Sequence, residues 1–165
     1  MTKLSEATRN KLKTVSTATV ATALFKRGFR IQMIQDVHPL NPDQPTLVGE
    51  AFTLRYMPAR EDLNKIDVFR DRSHPQRKAI EINVPIGCRD APVFPGDVIL
   101  GDSDGVIVIP AHLADEIANE TVEMTAFEDF VTEQVQNGRS IMGLYPATDE
   151  QTLVDFAAWR KAKGR

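Results

Sequence analysis

Arg89 and Asp90 stand side by side in a turn between two apolar runs. An arginine next to a metal-holding aspartate suits a keto acid, which needs its carboxylate paired and its carbonyl polarised. Arg89 is therefore the candidate catalytic residue and Asp90 the candidate metal ligand. Three more aspartates, Asp97, Asp102 and Asp104, carry the oxygen ligands that hard cations take. However, Asp102-Ser-Asp-Gly105 lacks the third acidic position and the distal glutamate of a calcium loop, and its residues are those of a tight turn. They are read as turn formers. His38 and His74 each precede a proline, His112 lies in the first turn of a helix, and no two are spaced to put two imidazoles on one metal. Cys88 has no base beside it in sequence and reads as a small apolar filler. No Gly-x-x-x-x-Gly-Lys or Gly-x-Gly-x-x-Gly run is present, so nucleotide binding has no support. The most basic stretch, Arg70-Asp-Arg-Ser-His-Pro-Gln-Arg-Lys78, reads as a solvated or partner-facing surface; contact with an anionic small molecule is the other reading.

The elements that must position these residues show in the patterning. A short helix runs from Ser5 to Leu12 with Ser5 as N-cap. A second starts near Ser16 or Thr17, places Val20, Ala21 and Leu24 on one face and stops at Gly28. Ile31-Gln-Met-Ile-Gln-Asp-Val37 reads as a strand ended by a proline-rich run, and Leu47 to Met57 as a second strand. Residues 58–78 are charged and read as a loop or an exposed helix. Short apolar runs follow, of which Val98-Ile-Leu and Val106-Ile-Val-Ile form a hairpin around the Asp102 turn. Pro110 suits the first helical position. From there Leu113, Ile117, Thr121, Met124, Phe127, Val131 and Val135 draw one apolar stripe as far as Gly138, with Asp115, Glu116, Glu120, Glu123 and Glu128 on a solvated face. A capping box, Thr148-Asp-Glu-Gln151, opens a last helix through Phe156 and Trp159 to a basic end.

The 165 residues fit one domain, 1–165, able to bury roughly 70% of its unfolded surface. The formal charge of −3 gives no basic footprint for nucleic acid, so no direct nucleic-acid partner is expected. One cysteine permits no intrachain disulfide, and no apolar run is long enough to span a bilayer. A cytoplasmic protein without a membrane partner is the expectation.

Ile82-Asn-Val-Pro-Ile-Gly-Cys88, Val93-Phe-Pro-Gly-Asp-Val-Ile99 and Gly101-Asp-Ser-Asp-Gly-Val-Ile-Val-Ile-Pro110 resemble the C-terminal half of the RraA-like family. That family takes in regulators of ribonuclease activity and divalent-metal aldolases acting on 4-hydroxy-4-methyl-2-oxoglutarate. Ser16-Thr-Ala-Thr-Val-Ala-Thr-Ala-Leu-Phe-Lys-Arg-Gly28 resembles the family's N-terminal helix and Val48-Gly-Glu-Ala-Phe-Thr-Leu-Arg-Tyr56 its following strand. Ala126-Phe-Glu-Asp-Phe-Val131 and Gly143-Leu-Tyr-Pro-Ala-Thr-Asp-Glu150 resemble the tail of the regulator subgroup.

The resemblance implies an α/β fold: a three-layer β/β/α swivelling-type domain with N-terminal helices and a long C-terminal helical tail, assembled as a homotrimer or hexamer. It implies cleavage of a 4-hydroxy-2-oxo acid to pyruvate with Mg2+ or Mn2+, or, alternatively, non-catalytic binding of a ribonuclease partner. In the family the gripping arginine and the metal-holding aspartate end an Asp-Gly-x-x-Arg-Asp motif after a central strand and helix. Here the chain runs from Glu81 straight into Ile82. It thus divides into 1–81 and 82–165 with an apparent internal deletion at 81/82. Arg89-Asp90 matches the dipeptide, while its flanks, Gly87-Cys88 and Ala91-Pro-Val-Phe94, are those of the later turn. Poor or no lyase activity is the expected consequence.

Overall fold

The computed structural model describes residues 3–41, 43–60, 62 and 77–164. In chain order these form helices α1 (Glu6–Leu12) and α2 (Thr17–Lys26), and then strands β1 (Met33–Ile34), β2 (Leu47–Glu50), β3 (Leu54–Pro58), β4 (Arg77–Ile82), β5 (Ile86–Cys88), β6 (Ala91–Val93), β7 (Val98–Gly101) and β8 (Val106–Ile109). A 3-10 turn (Ala111–Leu113), α3 (Ala114–Gln136) and α4 (Glu150–Lys163) follow. Each early helix starts where a serine can cap it. Ser5 accepts from the Thr8 N–H and Ser16 from the Thr19 N–H, which satisfies amide groups that have no partner within the helix.

Four strands make the central antiparallel sheet, in the order β1-β8-β7-β2. The β7–β8 hairpin is buried on both faces, so its side chains divide by parity. Val98 lies opposite Ile109 and Leu100 opposite Ile107; all four pack under α1, α2 and α3 with Leu12, Val20, Leu24 and Ile117. Ile99 lies opposite Val108, and this pair faces the other way, onto Ala91 and Val93 of the β5–β6 hairpin. The result is three layers: helices, a central sheet, and a layer of hairpins, as the β/β/α expectation had it. Near-continuous Val/Ile/Leu usage in β7 and β8 is what two buried faces require. The tail folds back on α3. Phe127, Phe130, Phe156 and Trp159 cluster there around buried Leu144, with Phe127 and Phe156 edge to face at 5.1 Å between centroids.

Several expectations need correction. The strand expected over 31–37 is only β1, because Asp36 takes a left-handed φ of 55° and ends it. Residues 47–57 are two strands in different sheets. The chain breaks pairing at 51–53, where the Ala51 N–H and C=O bond to the Asp97–Gly96 turn. Arg77 and Lys78 belong to a strand, β4, which runs unbroken through Glu81 and Ile82; residues 61 and 63–76 lie outside the described residues. The last helix is capped by Asp149 rather than Thr148, since the Asp149 carboxylate accepts from the Gln151 N–H. Val135, expected in the buried stripe, is exposed. The acidic face of α3 is not simply solvated: Glu116 and Glu120 grip Arg27, just past the end of α2, at 2.5 Å, Glu128 accepts from Thr19, Asp115 accepts from Thr8, and Glu123 pairs with Arg160 of α4.

Candidate functional site

Cys88 pairs with Ala91 across the β5–β6 hairpin, so Arg89 and Asp90 are the two residues of its turn. Such tight turns call for a positive φ, and Arg89 supplies it at 53°, an uncommon conformation for a residue of its bulk. Its guanidinium reaches Asp36 at 3.1 Å, with both side chains more than half exposed. Asp90 is exposed as well. Among the described residues no group of three His, Cys, Asp or Glu side chains is close enough to hold a metal ion. Asp90 would offer a magnesium ion one carboxylate, with water or substrate supplying the other ligands. That donor set does not amount to a built metal centre.

Asp97 and Asp102 hold the fold together. Asp97 accepts from the Phe94 and Ala111 N–H groups at 2.9 and 3.0 Å, tying the turn after β6 to the start of the 3-10 turn. Asp102 accepts from the Asp104 N–H within its own turn. It also reaches α2, taking the Thr17 N–H at 2.6 Å and the Thr17 hydroxyl at 2.8 Å. His38 and His112 are exposed and far apart in the chain, and His74 lies outside the described residues. Cys88 is half-buried and packs into the hairpin layer.

Beside the hairpin lies a cleft of about 610 Å³, with Leu54, Arg55, Tyr56 and Arg77 of the β3–β4 ribbon on one wall and Ile86, Cys88, Pro92 and Phe94 on the other. A β-bulge builds the first wall. Pairing runs Leu54 to Ile82 and Arg55 to Glu81, then shifts by one, so that Tyr56 faces Ala79 and Pro58 faces Arg77. Residues directly opposite one another share a face, so the shift moves Arg77 onto the face of Leu54 and Tyr56. Without it Arg77 would point away. Arg55 is already engaged, paired with Glu81 and donating to the Pro85 carbonyl at 2.6 Å. The Arg77 side chain makes no hydrogen bond or ion pair among the described residues. From sequence the 70–78 stretch reads first as a solvated or partner-facing surface and only second as an anion contact; the bulge leaves no sign there, and neither Arg55 nor Tyr56 stands out.

The sequence model of the RraA-like family (Aldolase/RraA) matches residues 62–108, which take in Arg77, Arg89 and Asp90. A protein of Halalkalibacterium halodurans, provisionally named 4-hydroxy-4-methyl-2-oxoglutarate aldolase, is 42% identical over 48 residues, 29% of this chain. The chain spans only 23% of that relative's length in the match. The shape agrees over a longer stretch. Streptomyces coelicolor RraAS2, described as an unusual member of the RNase ES inhibitor RraA protein family, superposes with a TM-score of 0.69 over 80% of this chain and 100% of its own, at 18% identity. Residues 62–108 are RraA-like in sequence, and the chain shares the fold over a longer stretch. A further solved structure, an uncharacterized protein of Pseudomonas syringae pv. tomato, shares the fold with a TM-score of 0.75 over 88% of this chain and 96% of its own, at 16% identity. The sequence likeness is thus to an aldolase-named protein, and the likeness in fold is to a member of a ribonuclease-inhibitor family. Among the described residues no helix is long and apolar enough to cross a membrane.

Proposed function

We propose that this RraA-like chain binds a small 2-oxo acid in the cleft between ribbon and hairpin, and has little of the carbon–carbon lyase activity for which its Halalkalibacterium relative is named. The observation that carries the binding is Arg77. It is a guanidinium without a carboxylate among the described residues, turned by a bulge onto a cleft wall whose other arginine is already paired. A substrate carboxylate offers the two oxygens that the arginine fork takes.

Turnover is where the residues fall short. We propose Arg89 and Asp90 as the residues of any residual cleavage, Arg89 gripping substrate and Asp90 holding magnesium or manganese, which would supply Lewis-acid polarisation of the carbonyl. Asp90 is a lone exposed carboxylate and Arg89 is drawn toward Asp36, so both grips are weak. The strand running through 81/82 supports one domain, 1–165, with a shortened centre. A reducing, cytoplasmic setting belongs to the same reading, on the strength of the single cysteine. Calorimetric titration with pyruvate tests the binding. Arg77→Ala should weaken it by about 10- to 100-fold, the worth of a charged hydrogen-bonded pair. Equal affinity in the variant would remove the support for this cleft.

The exposed ribbon favours a second reading. Leu54, Tyr56, Met57, Ile80 and Ile82 all lie open to solvent on a two-stranded ribbon, an element that is marginal in water without cover. A ribonuclease of the RNase ES type, docked without chemistry, would cover it, as would a neighbouring copy in a homotrimer or hexamer. Comigration of the purified chain with such a ribonuclease, lost in Ile80→Lys, supports this reading; a monomer that ignores the enzyme counts against it.

A further inference from the structure

The Arg77 cleft carries its unpaired charge at one end and apolar side chains along its length. Arg77 stands opposite Pro58 at the end of the ribbon. Tyr56 and then Leu54 follow along β3 on the same face, each step of two residues advancing about 7 Å. The facing wall offers Ile86, Pro92 and Phe94. These surfaces can be reached from solvent: Leu54, Tyr56 and Phe94 are 37%, 47% and 53% exposed.

Two charged side chains line the cleft, Arg55 and Arg77. Arg55 is held by Glu81 and by the Pro85 carbonyl, so Arg77 is the one without a partner among the described residues. The Cys88 thiol is half-buried and only weakly polar. A carboxylate on the Arg77 fork therefore has no rival cation at hand, and a second carboxylate would have to displace Glu81 from Arg55. The volume of about 610 Å³ is in the range that encloses a drug-sized ligand, far more than pyruvate fills. With its carboxylate on Arg77, a longer acid lays its other end between Tyr56 and Leu54 on one side and Pro92 and Phe94 on the other. Removing those apolar surfaces from water favours an apolar end there, and the two rings favour a flat one.

We propose that the cleft selects 2-oxo acids bearing an aromatic side chain over pyruvate and over oxo diacids, with Tyr56 and Phe94 setting the preference. This rests on the binding reading above and narrows its substrate class.

The test is calorimetric titration of the intact chain with pyruvate, 2-oxoglutarate, 2-oxo-4-phenylbutanoate and 4-phenyl-2-butanone, the last having a methyl group where the phenyl acid has its carboxylate. The phenyl acid should bind about 10- to 100-fold more tightly than either other acid, as burial of a phenyl group implies. The ketone should bind at least about tenfold more weakly than the phenyl acid. Tyr56→Ala and Phe94→Ala should each weaken phenyl-acid binding by about threefold or more and leave pyruvate binding unchanged. If either variant does not fold, the ligand series on the unaltered chain decides the matter. Equal affinity for the three acids, tighter binding of 2-oxoglutarate, or a phenyl-acid affinity indifferent to both substitutions overturns the preference and leaves the Arg77 reading standing. A ketone that binds as tightly as its acid, or phenyl-acid binding untouched by Arg77→Ala, overturns both.

Discussion

Replacing Asp102 by alanine should destabilise the fold without touching ligand binding. Asp102 accepts three hydrogen bonds: one from Asp104 in its own turn and two from Thr17, whose side chain is fully buried at the first turn of α2. A hydrogen bond to a charged group contributes about 1.5–3 kcal/mol, and a lost helix-capping interaction costs about 1 kcal/mol. The three bonds share one carboxylate and are not additive, so Asp102→Ala should cost about 2–4 kcal/mol. At about 2–4 °C per kcal/mol for a chain of this size, Tm should fall by about 5–15 °C. Asp102→Asn keeps one acceptor oxygen and should lose roughly half as much. Urea unfolding followed by far-UV circular dichroism measures both. A cost below about 0.5 kcal/mol, or an unchanged Tm together with loss of a divalent-ion effect, would refute the structural role and return Asp102 to the list of metal ligands.

Ile107→Ala, in the wholly buried layer between sheet and helices, should cost about 2–5 kcal/mol in the same assay; a loss under 1 kcal/mol would mean that the helices do not pack there. Arg27 is held charged first by its hydrogen bond to Glu116 and then by Glu120, both partly open to water, so Arg27→Ala should cost only about 0.5–1 kcal/mol and less in high salt. Glu133 has its carboxyl lowered from 4.5, chiefly by the Trp159 indole N–H and then by Lys163. Asp155 is lowered from 3.8, chiefly by Gln151 and then by Arg139. Folded values below the unfolded ones mean that this support for α4 is complete above about pH 4.5 and is lost as pH falls through the lowered values. Trp159 fluorescence should report loosening of α4 only below that pH, and Glu133→Gln should flatten the transition; loosening near pH 6 would contradict the assignment.

Much of the fold is legible in the residues because local signals and burial agree there. Ser5 and Ser16 cap the helices the spacing predicts, Gly28 and Gly138 follow helix ends with positive φ, and the β7–β8 hairpin closes on the Asp102 turn. What escaped depends on partners distant in sequence. The acidic face of α3 looks like any solvated face until Arg27 and Arg160 arrive from other helices. The break after β2 follows from Ala51 bonding to a turn more than forty residues on. At the site, the Arg89-Asp90 turn was legible as a turn because its flanks are apolar. The cleft was not, since Arg77 joins it through a single-residue register shift that no spacing in the chain announces.

Pyruvate release and pyruvate binding, measured on the same preparation of the intact chain with and without magnesium, test the proposed function most directly. Saturable binding that Arg77→Ala weakens by about tenfold or more, with pyruvate release from a 4-hydroxy-2-oxo acid near the uncatalysed rate, is the expected result. Robust metal-dependent turnover abolished by Asp90→Ala, with binding indifferent to Arg77, would contradict it.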